Sequence, residues 1–292
     1  MTEKFREELE TAKRIALEVW PKIAPIYDAP IEFEDKADGT PVTKADKLSN
    51  RFIIEELRKK FPNDSIVSEE EKAVVNGKRT WYIDPIDGTK GFIKHNGHFA
   101  IHIGFCEGKD PTLGVVYWPI TGEMYSGIVG TGAWRENSRG KIELKVKPMR
   151  KDLIAMVNGD TSPEWLVPIL NELGVKSIQN SGSEGLRLVK IAENIADLRI
   201  CESQRGSSTW DLCAPQAVVA AAGGIFGYTD GTSIEYIGQG RMGKPYFVAN
   251  SSGLAERILG ITMRKAAKEE LFPGGRSDDE DHYGPFDRKE WR

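Results

Sequence analysis

The stretch Trp81–Thr89 reads Trp-Tyr-Ile-Asp-Pro-Ile-Asp-Gly-Thr. Two carboxylates, Asp84 and Asp87, flank a Pro-Ile pair, and Gly88-Thr89 follows. Ser68-Glu69-Glu70-Glu71 lies upstream and Trp210-Asp211 far downstream. Acids collected in this way suit hard cations bound through oxygen. A Gly-Thr turn entering a helix suits a phosphate, because the first backbone N–H groups of a helix have no internal partner. Together these residues point to metal-assisted phosphate chemistry.

Asp, Pro and Gly are also ordinary turn formers, so a bare Asp-Pro-x-Asp-Gly is equally a strand exit. The full hexapeptide behind an apolar strand is more specific. Pro85 ends the strand and stiffens its exit, and the two acids can then converge on ions from one turn. The Ile86 carbonyl adds a normal hard-cation ligand. Glu69, Glu70 and Glu71 alone read as a solvated acidic run. Their place after the apolar segment 66–68 lets Glu69 meet Asp84 at neighbouring strand ends, with Glu70 and Glu71 facing solvent. Asp211 opens a helix, where an N-cap is the ordinary role. A helix N-terminus also lowers a carboxyl pKa and leaves it ready for metal.

The elements that must position these groups follow from periodicity. Phe5, Leu9, Ala12, Ala16 and Val19 have helical spacing, and Pro21 and Pro25 are expected to close that helix. Thr43 and Asp46 fit a capping box with Asp in place of Glu, opening a helix to about residue 61. Short apolar strands are expected at 66–68 and 81–84. Phe99, Ile101, Ile103 and Phe105 alternate, which predicts a strand with one buried face. Segments 113–118, 124–129 and 142–146 continue a largely antiparallel sheet. Beyond residue 148 strands and helices alternate: 153–157, a helix opening at Ser162-Pro163, 177–179, 184–196, 197–201, 211–222, 246–249 and 254–271. The reading is an α+β lobe over 1–147, an α/β lobe over 148–272 and a polar tail over 273–292.

The chain has 292 residues, 39% hydrophobic and 29% charged, enough for a sizeable core. Its net charge of −4 gives no general attraction to nucleic acid or membranes. Cys106, Cys201 and Cys213 are scattered and odd in number, which excludes a zinc Cys-x-x-Cys site and a disulfide framework. The first ten residues are charged and lack a signal-peptide core, so a cytoplasmic location is the expectation. His95, His98, His102 and His282 lack metal-ligand spacing. Gly127–Gly132 is glycine-rich but lies in a strand meander, not a dinucleotide fingerprint.

The set Gly-Thr-Pro-Val-Thr-Lys-Ala-Asp (39–46), Ser-Glu-Glu (68–70), Trp81–Phe92 and Trp210–Gly224 resembles the inositol monophosphatase family of metal-dependent, lithium-sensitive phosphatases. The likeness covers roughly residues 5–265. It implies an α-β-α-β-α layered sandwich and Mg²⁺ as cofactor, about two or three ions, with Li⁺ inhibitory. Matched residue by residue, Glu69, Asp84, the Ile86 carbonyl, Asp87 and Asp211 take the metal positions. Thr89 matches the threonine that orients the attacking water, with Glu69 assisting. Asp46 matches the aspartate bonded to that threonine, and Gly88 and Thr89 face phosphate oxygens.

Lys90–Phe99 is similar to the 3′(2′),5′-bisphosphate nucleotidase branch, which removes the 3′-phosphate of 3′-phosphoadenosine 5′-phosphate to give AMP. Ser181–Arg187 is similar to that branch's Gly-Ser segment, although Glu184-Gly185 interrupts it and Arg187 replaces a lysine. Ser183 and Arg187 are accordingly expected at the substrate, with Arg187 gripping the 5′-phosphate. Inositol monophosphatase and histidinol phosphatase are the rival activities, and an inactive phosphometabolite-binding regulator is the non-enzyme alternative. The partner expected is a small phosphorylated substrate, with neither a nucleic acid polymer nor a membrane; a homodimer stays open.

Overall fold

The computed structural model describes residues 4–37, 39–71, 75, 77–158, 164–201, 207–238, 240 and 242–267. The Ser162-Pro163 helix start and the 273–292 tail lie outside them. The chain begins with α1 (Arg6–Tyr27), an antiparallel pair of β1 (Phe33–Asp35) and β2 (Pro41–Thr43), and α2 (Lys44–Lys60). Next come β3 (Ser65–Ser68), β4 (Arg79–Asp87), the short α3 (Thr89–Ile93), β5 (Ala100–Glu107) and β6 (Asp110–Trp118). The meander closes with β7 (Glu123–Ile128), β8 (Gly132–Asn137) and β9 (Gly140–Leu144). Then follow β10 (Leu153–Asn158), α4 (Leu166–Leu173), β11 (Val175–Ser181), α5 (Glu184–Ala192) and β12 (Leu198–Cys201). The last described elements are α6 (Thr209–Ala221), β13 (Ile225–Tyr228), β14 (Tyr246–Ala249) and α7 (Ser252–Ala267).

Strands β3 to β9 form a seven-stranded sheet in chain order, antiparallel except for the β3–β4 pair. The second sheet has the order β11-β10-β12-β14-β13, with its first three strands parallel. Helices α1 and α2 cover the outer face of the first sheet, and α4 and α7 that of the second. Helices α5 and α6 fill the layer between the sheets. The expected α-β-α-β-α sandwich is the observed one. Because helices lie on both faces, β5 is buried along nearly its whole length rather than on one face.

Helix α1 runs through Pro21 and Pro25 instead of ending there. Both prolines are exposed, four residues apart on the water side, where the carbonyls they leave unbonded meet solvent. Ile15, Val19 and Ile23 hold the opposite face in the core. Helix α5 ends at Ala192, short of the expected 196, and β13 was not anticipated.

Close approach of α6 to the first sheet depends on a glycine row. Gly104 pairs with Gly114, and Gly114 with Gly127, across β5, β6 and β7. A Cβ on Gly114 would lie 2.0 Å from the Ala214 carbonyl oxygen, and one on Gly104 2.7 Å from the Ala214 nitrogen. The helix therefore rests on sheet backbone, and its N-terminal Asp211 is carried to the end of β4.

Candidate active site

In a regular strand Asp84 and Asp87, three residues apart, would face opposite sides. The β4–β5 ladder prevents this. Asp84 pairs with His102 and Asp87 with Ala100, so three steps on β4 match two on β5. The extra residue is a bulge at Pro85, which cannot donate to the ladder. It turns both acids to one side. Ser49 Oγ of α2 donates to the Pro85 carbonyl at 3.0 Å, and the Ile86 N–H donates to Asp84 Oδ1 at 3.0 Å, fixing the bulge. Gly88 then adopts φ +94°, and a Cβ there would meet the His98 carbonyl oxygen at 2.6 Å. Glycine is required at this corner.

Thr43 caps α2, and the expected capping box is present: the Thr43 N–H donates to Asp46 Oδ2 at 2.7 Å. This holds Asp46 with its other oxygen toward α3. The Thr89 hydroxyl lies 3.2 Å from Asp46 Oδ1 and 3.2 Å from the Ile86 carbonyl oxygen. One proton serves two acceptors. Burial pushes the Asp46 carboxyl up to about 6, against the Thr43 hydrogen bonds that lower it.

Asp84 is 1% exposed and faces three other acids, Glu69, Asp87 and Asp211. Burial first, then these neighbours, push it well above the carboxylate range. Asp211 is pushed up for the same reasons, burial and then Asp87 and Glu69. Burial also pushes Glu69 up to about 7, although Lys36 Nζ donates to its Oε1 at 2.7 Å. Asp87 goes the other way. Burial would raise it, but His102, Ser183 and the Gly185 N–H outweigh that and hold it low.

Ser208, not Asp211, caps α6, and Asp211 sits three residues in, accepting the Ser208 N–H at 2.5 Å. The lowered pKa expected for Asp211 at a helix start is corrected: burial and the neighbouring acids push it up instead. Glu70 does not face solvent; Lys36 Nζ donates to its Oε1 at 2.6 Å. Arg187 is also placed differently from its expected grip on a substrate phosphate. It is 5% exposed, and its Nε and Nη2 donate to Glu184 Oε2 at 3.0 and 2.6 Å. Its Nη1 donates to the Ser181 carbonyl and to Asn158 Oδ1. Arg199 and the Tyr246 hydroxyl complete this cluster around Glu184. The fork is thus engaged by residues of β10, β11 and α5. Ser183 caps α5 and donates to Asp87 Oδ2 at 2.5 Å, so it supports an acid instead of facing a substrate.

The donor set, four acids and a carbonyl, is all oxygen, and mutual repulsion among buried acids is what a multivalent cation relieves. The donor chemistry fits a hard divalent ion. Among the described residues no three His, Cys, Asp or Glu side chains already surround one point. Asp87 is turned to its three partners and Glu69 to Lys36. Lys36 and His102 were missed as members of the site. His102 carried a signal: it falls between Ile101 and Ile103 and so points away from their face, toward the inner helices.

A sequence profile described as the inositol monophosphatase family matches residues 4–271. The chain belongs to the inositol monophosphatase family. As a member of that family it is a phosphatase. The 3′(2′),5′-bisphosphate nucleotidase CysQ of Salmonella typhimurium is 33% identical over 234 residues, 78% of this chain and 93% of that protein. Human inositol monophosphatase 1 is 28% identical over 228 residues, 74% and 79% of the two chains. The IMPase of Thermotoga maritima matches in structure with a TM-score of 0.75 at 22% identity, covering 90% of this family member and 99% of its own chain. At that identity the match shows the shared fold. No helix of this phosphatase, among its described residues, is long and apolar enough to cross a membrane.

Proposed function

We propose that this phosphatase uses Mg²⁺ and that its preferred substrate is a nucleoside 3′,5′-bisphosphate of the 3′-phosphoadenosine 5′-phosphate type. The observation that carries the reading is the Thr89–Asp46 hydrogen bond at 3.2 Å beside the buried acids Asp84 and Asp87 and the half-buried Asp211. Glu69, Asp84, Asp87, Asp211 and the Ile86 carbonyl would hold the cations. Bound there, Mg²⁺ supplies charge neutralisation of the phosphate and an acidified water. The chain's own residues do the rest. Thr89 accepts from the water through its oxygen while its own proton is held by Asp46. Asp46, anchored by Thr43, fixes that hydroxyl. Gly88 and Thr89 turn their N–H groups to phosphate oxygens at the start of α3.

The substrate choice rests on the 33% identity to the CysQ bisphosphate nucleotidase. Inositol 1-phosphate is the second reading, favoured by the likeness to human inositol monophosphatase 1. A solved relative, SaIMPase-II, is described with 2′AMP bound and with inositol monophosphate bound. Phosphate release from 3′-phosphoadenosine 5′-phosphate, inositol 1-phosphate, fructose 1,6-bisphosphate and histidinol phosphate separates the readings. A higher kcat/KM on the nucleotide is expected; a preference for inositol 1-phosphate overturns the substrate assignment. Inhibition by millimolar lithium in the same assay is part of this proposal, and insensitivity counts against it.

A further inference from the structure

Two hydrogen-bond donors and one histidine nitrogen meet at a single oxygen of Asp87. Ser183 Oγ lies 2.5 Å and the Gly185 nitrogen 2.7 Å from Oδ2, both from the start of α5. His102 Nε2, from β5, lies 3.2 Å from the same oxygen. That approach is close but not an aligned hydrogen bond, and among the described residues neither His102 nitrogen has a hydrogen-bond partner. The imidazole is 0% exposed. An unpartnered polar ring so deep in the protein is costly unless something uses it.

Gly185 explains how the ring fits. A Cβ at 185 would stand 2.0 Å from His102 Nε2 and 2.4 Å from its Cε1. The glycine backbone therefore lies against the imidazole, and the Gly185 N–H and His102 Nε2 reach Asp87 side by side. Oδ1 of Asp87 has no hydrogen-bond donor among the described residues. Oδ2 is held and Oδ1 is left for a cation.

We infer that His102, admitted by Gly185, is a positioning residue: with Ser183 it clamps Asp87 Oδ2 and so sets which oxygen Asp87 offers to a metal ion. The inference rests on the reading of Asp87 as a metal ligand. Groups that orient a metal ligand from outside typically contribute tenfold to a hundredfold in affinity. The clamp also joins the lobes, because β5 and α5 both hold the same carboxylate.

The test is Mn²⁺ binding to the full chain, counted by electron paramagnetic resonance with inorganic phosphate present. Mn²⁺ prefers the same oxygen donors as Mg²⁺. His102→Leu removes the imidazole's contact with Asp87 and should weaken one ion by about tenfold to a hundredfold. His102→Gln, whose amide nitrogen reaches the place of Nε2, should recover most of that affinity. Gly185→Ala should reproduce the loss by displacing the ring, and it carries the test alone if His102→Leu does not fold. Asp87→Asn is run beside them. Loss in Asp87→Asn with wild-type binding in the His102→Leu and Gly185→Ala variants overturns the clamp and leaves the metal reading standing. Equal binding by Asp87→Asn and wild type, or no Mn²⁺ bound by wild type, overturns both.

Discussion

The Thr89 hydroxyl and Asp46 Oδ1 meet at 3.2 Å across 43 positions of sequence. One residue opens α3 and the other sits in the first turn of α2, so the contact exists only when the β4 bulge is correctly docked on α2. Removing either partner should disable the same hydroxyl. Thr89→Ala is expected to lower kcat by about a hundredfold or more with little change in KM, as for a group acting mainly in the transition state. Asp46→Asn should do nearly the same. In a double-mutant cycle the combined variant should lose little beyond the worse single one. Additive losses would show that the two act separately.

Asp84 faces Glu69, Asp87 and Asp211, and among the described residues no cationic side chain is bonded to it. Asp84→Asn should reduce phosphate release by on the order of a thousandfold, because an amide cannot replace the charge that holds a divalent ion. In EDTA the same variant should melt at a higher temperature than the wild type, since one of several mutually repelling buried acids is gone. Adding Mg²⁺ should raise the Tm of the wild type far more than that of the variant. Calorimetric melts with and without Mg²⁺ check both signs.

Glu184 is expected to be a stability residue. Burial would raise its pKa, but Arg187 and Arg199 overcome this and hold it far below the ordinary carboxylate range. Its folded pKa lies under the unfolded value of about 4.3. Its stabilisation is therefore complete at neutral pH and is lost only as pH falls through that value toward the folded one. Arg187→Ala breaks the buried cluster and should cost about 3–5 kcal/mol in urea unfolding. Its acid unfolding midpoint should rise. The ratio of kcat/KM on 3′-phosphoadenosine 5′-phosphate to that on inositol 1-phosphate should stay as in the wild type. A selective loss on the bisphosphate would restore Arg187 to the substrate.

Gly114→Ala would put a methyl group 2.0 Å from the Ala214 carbonyl oxygen. Neither sheet nor helix backbone can yield cheaply there, so overpacking should cost about 1–3 kcal/mol or more. Activity should fall more than the folded fraction does, because α6 carries Asp211 and is pushed away from Asp84. Equal activity per folded molecule would show that the helix does not transmit the shift.

Much of this was legible because it is local. The Asp84–Thr89 hexapeptide, the Thr43–Asp46 capping box and the period-2 strands each carry their signal within a few residues. The parts that escaped depend on long-range partners. Arg187 looked available although Glu184 sits three residues earlier, because Arg199 and Tyr246, which complete the cluster around Glu184, are remote in sequence. Pro21 and Pro25 read as breakers because sequence alone did not show that their face meets water. His102 looked inert for lack of metal spacing; its role depends on a glycine in the other lobe. The glycine row was visible as three glycines inside strands, a sign of close backbone approach, but nothing in the strands named the helix that approaches.

The grip on Asp87 from α5 also bears on how the molecule is made. Domains synthesised first tend to fold first. The strands bearing Asp84 and Asp87 leave the ribosome well before Ser183, Gly185 and Asp211 exist. During that interval the inner face of the first sheet has no covering helix, and its acids have no second-lobe partner. With Asp87 and Asp211 as proposed metal ligands, competence for hydrolysis is expected only once the chain through α6 has been made. A nascent chain stopped before residue 183 carries Asp84 and Asp87 but lacks Asp211 and the two α5 groups that hold Asp87 Oδ2, so premature release is expected to yield a protein without phosphatase activity.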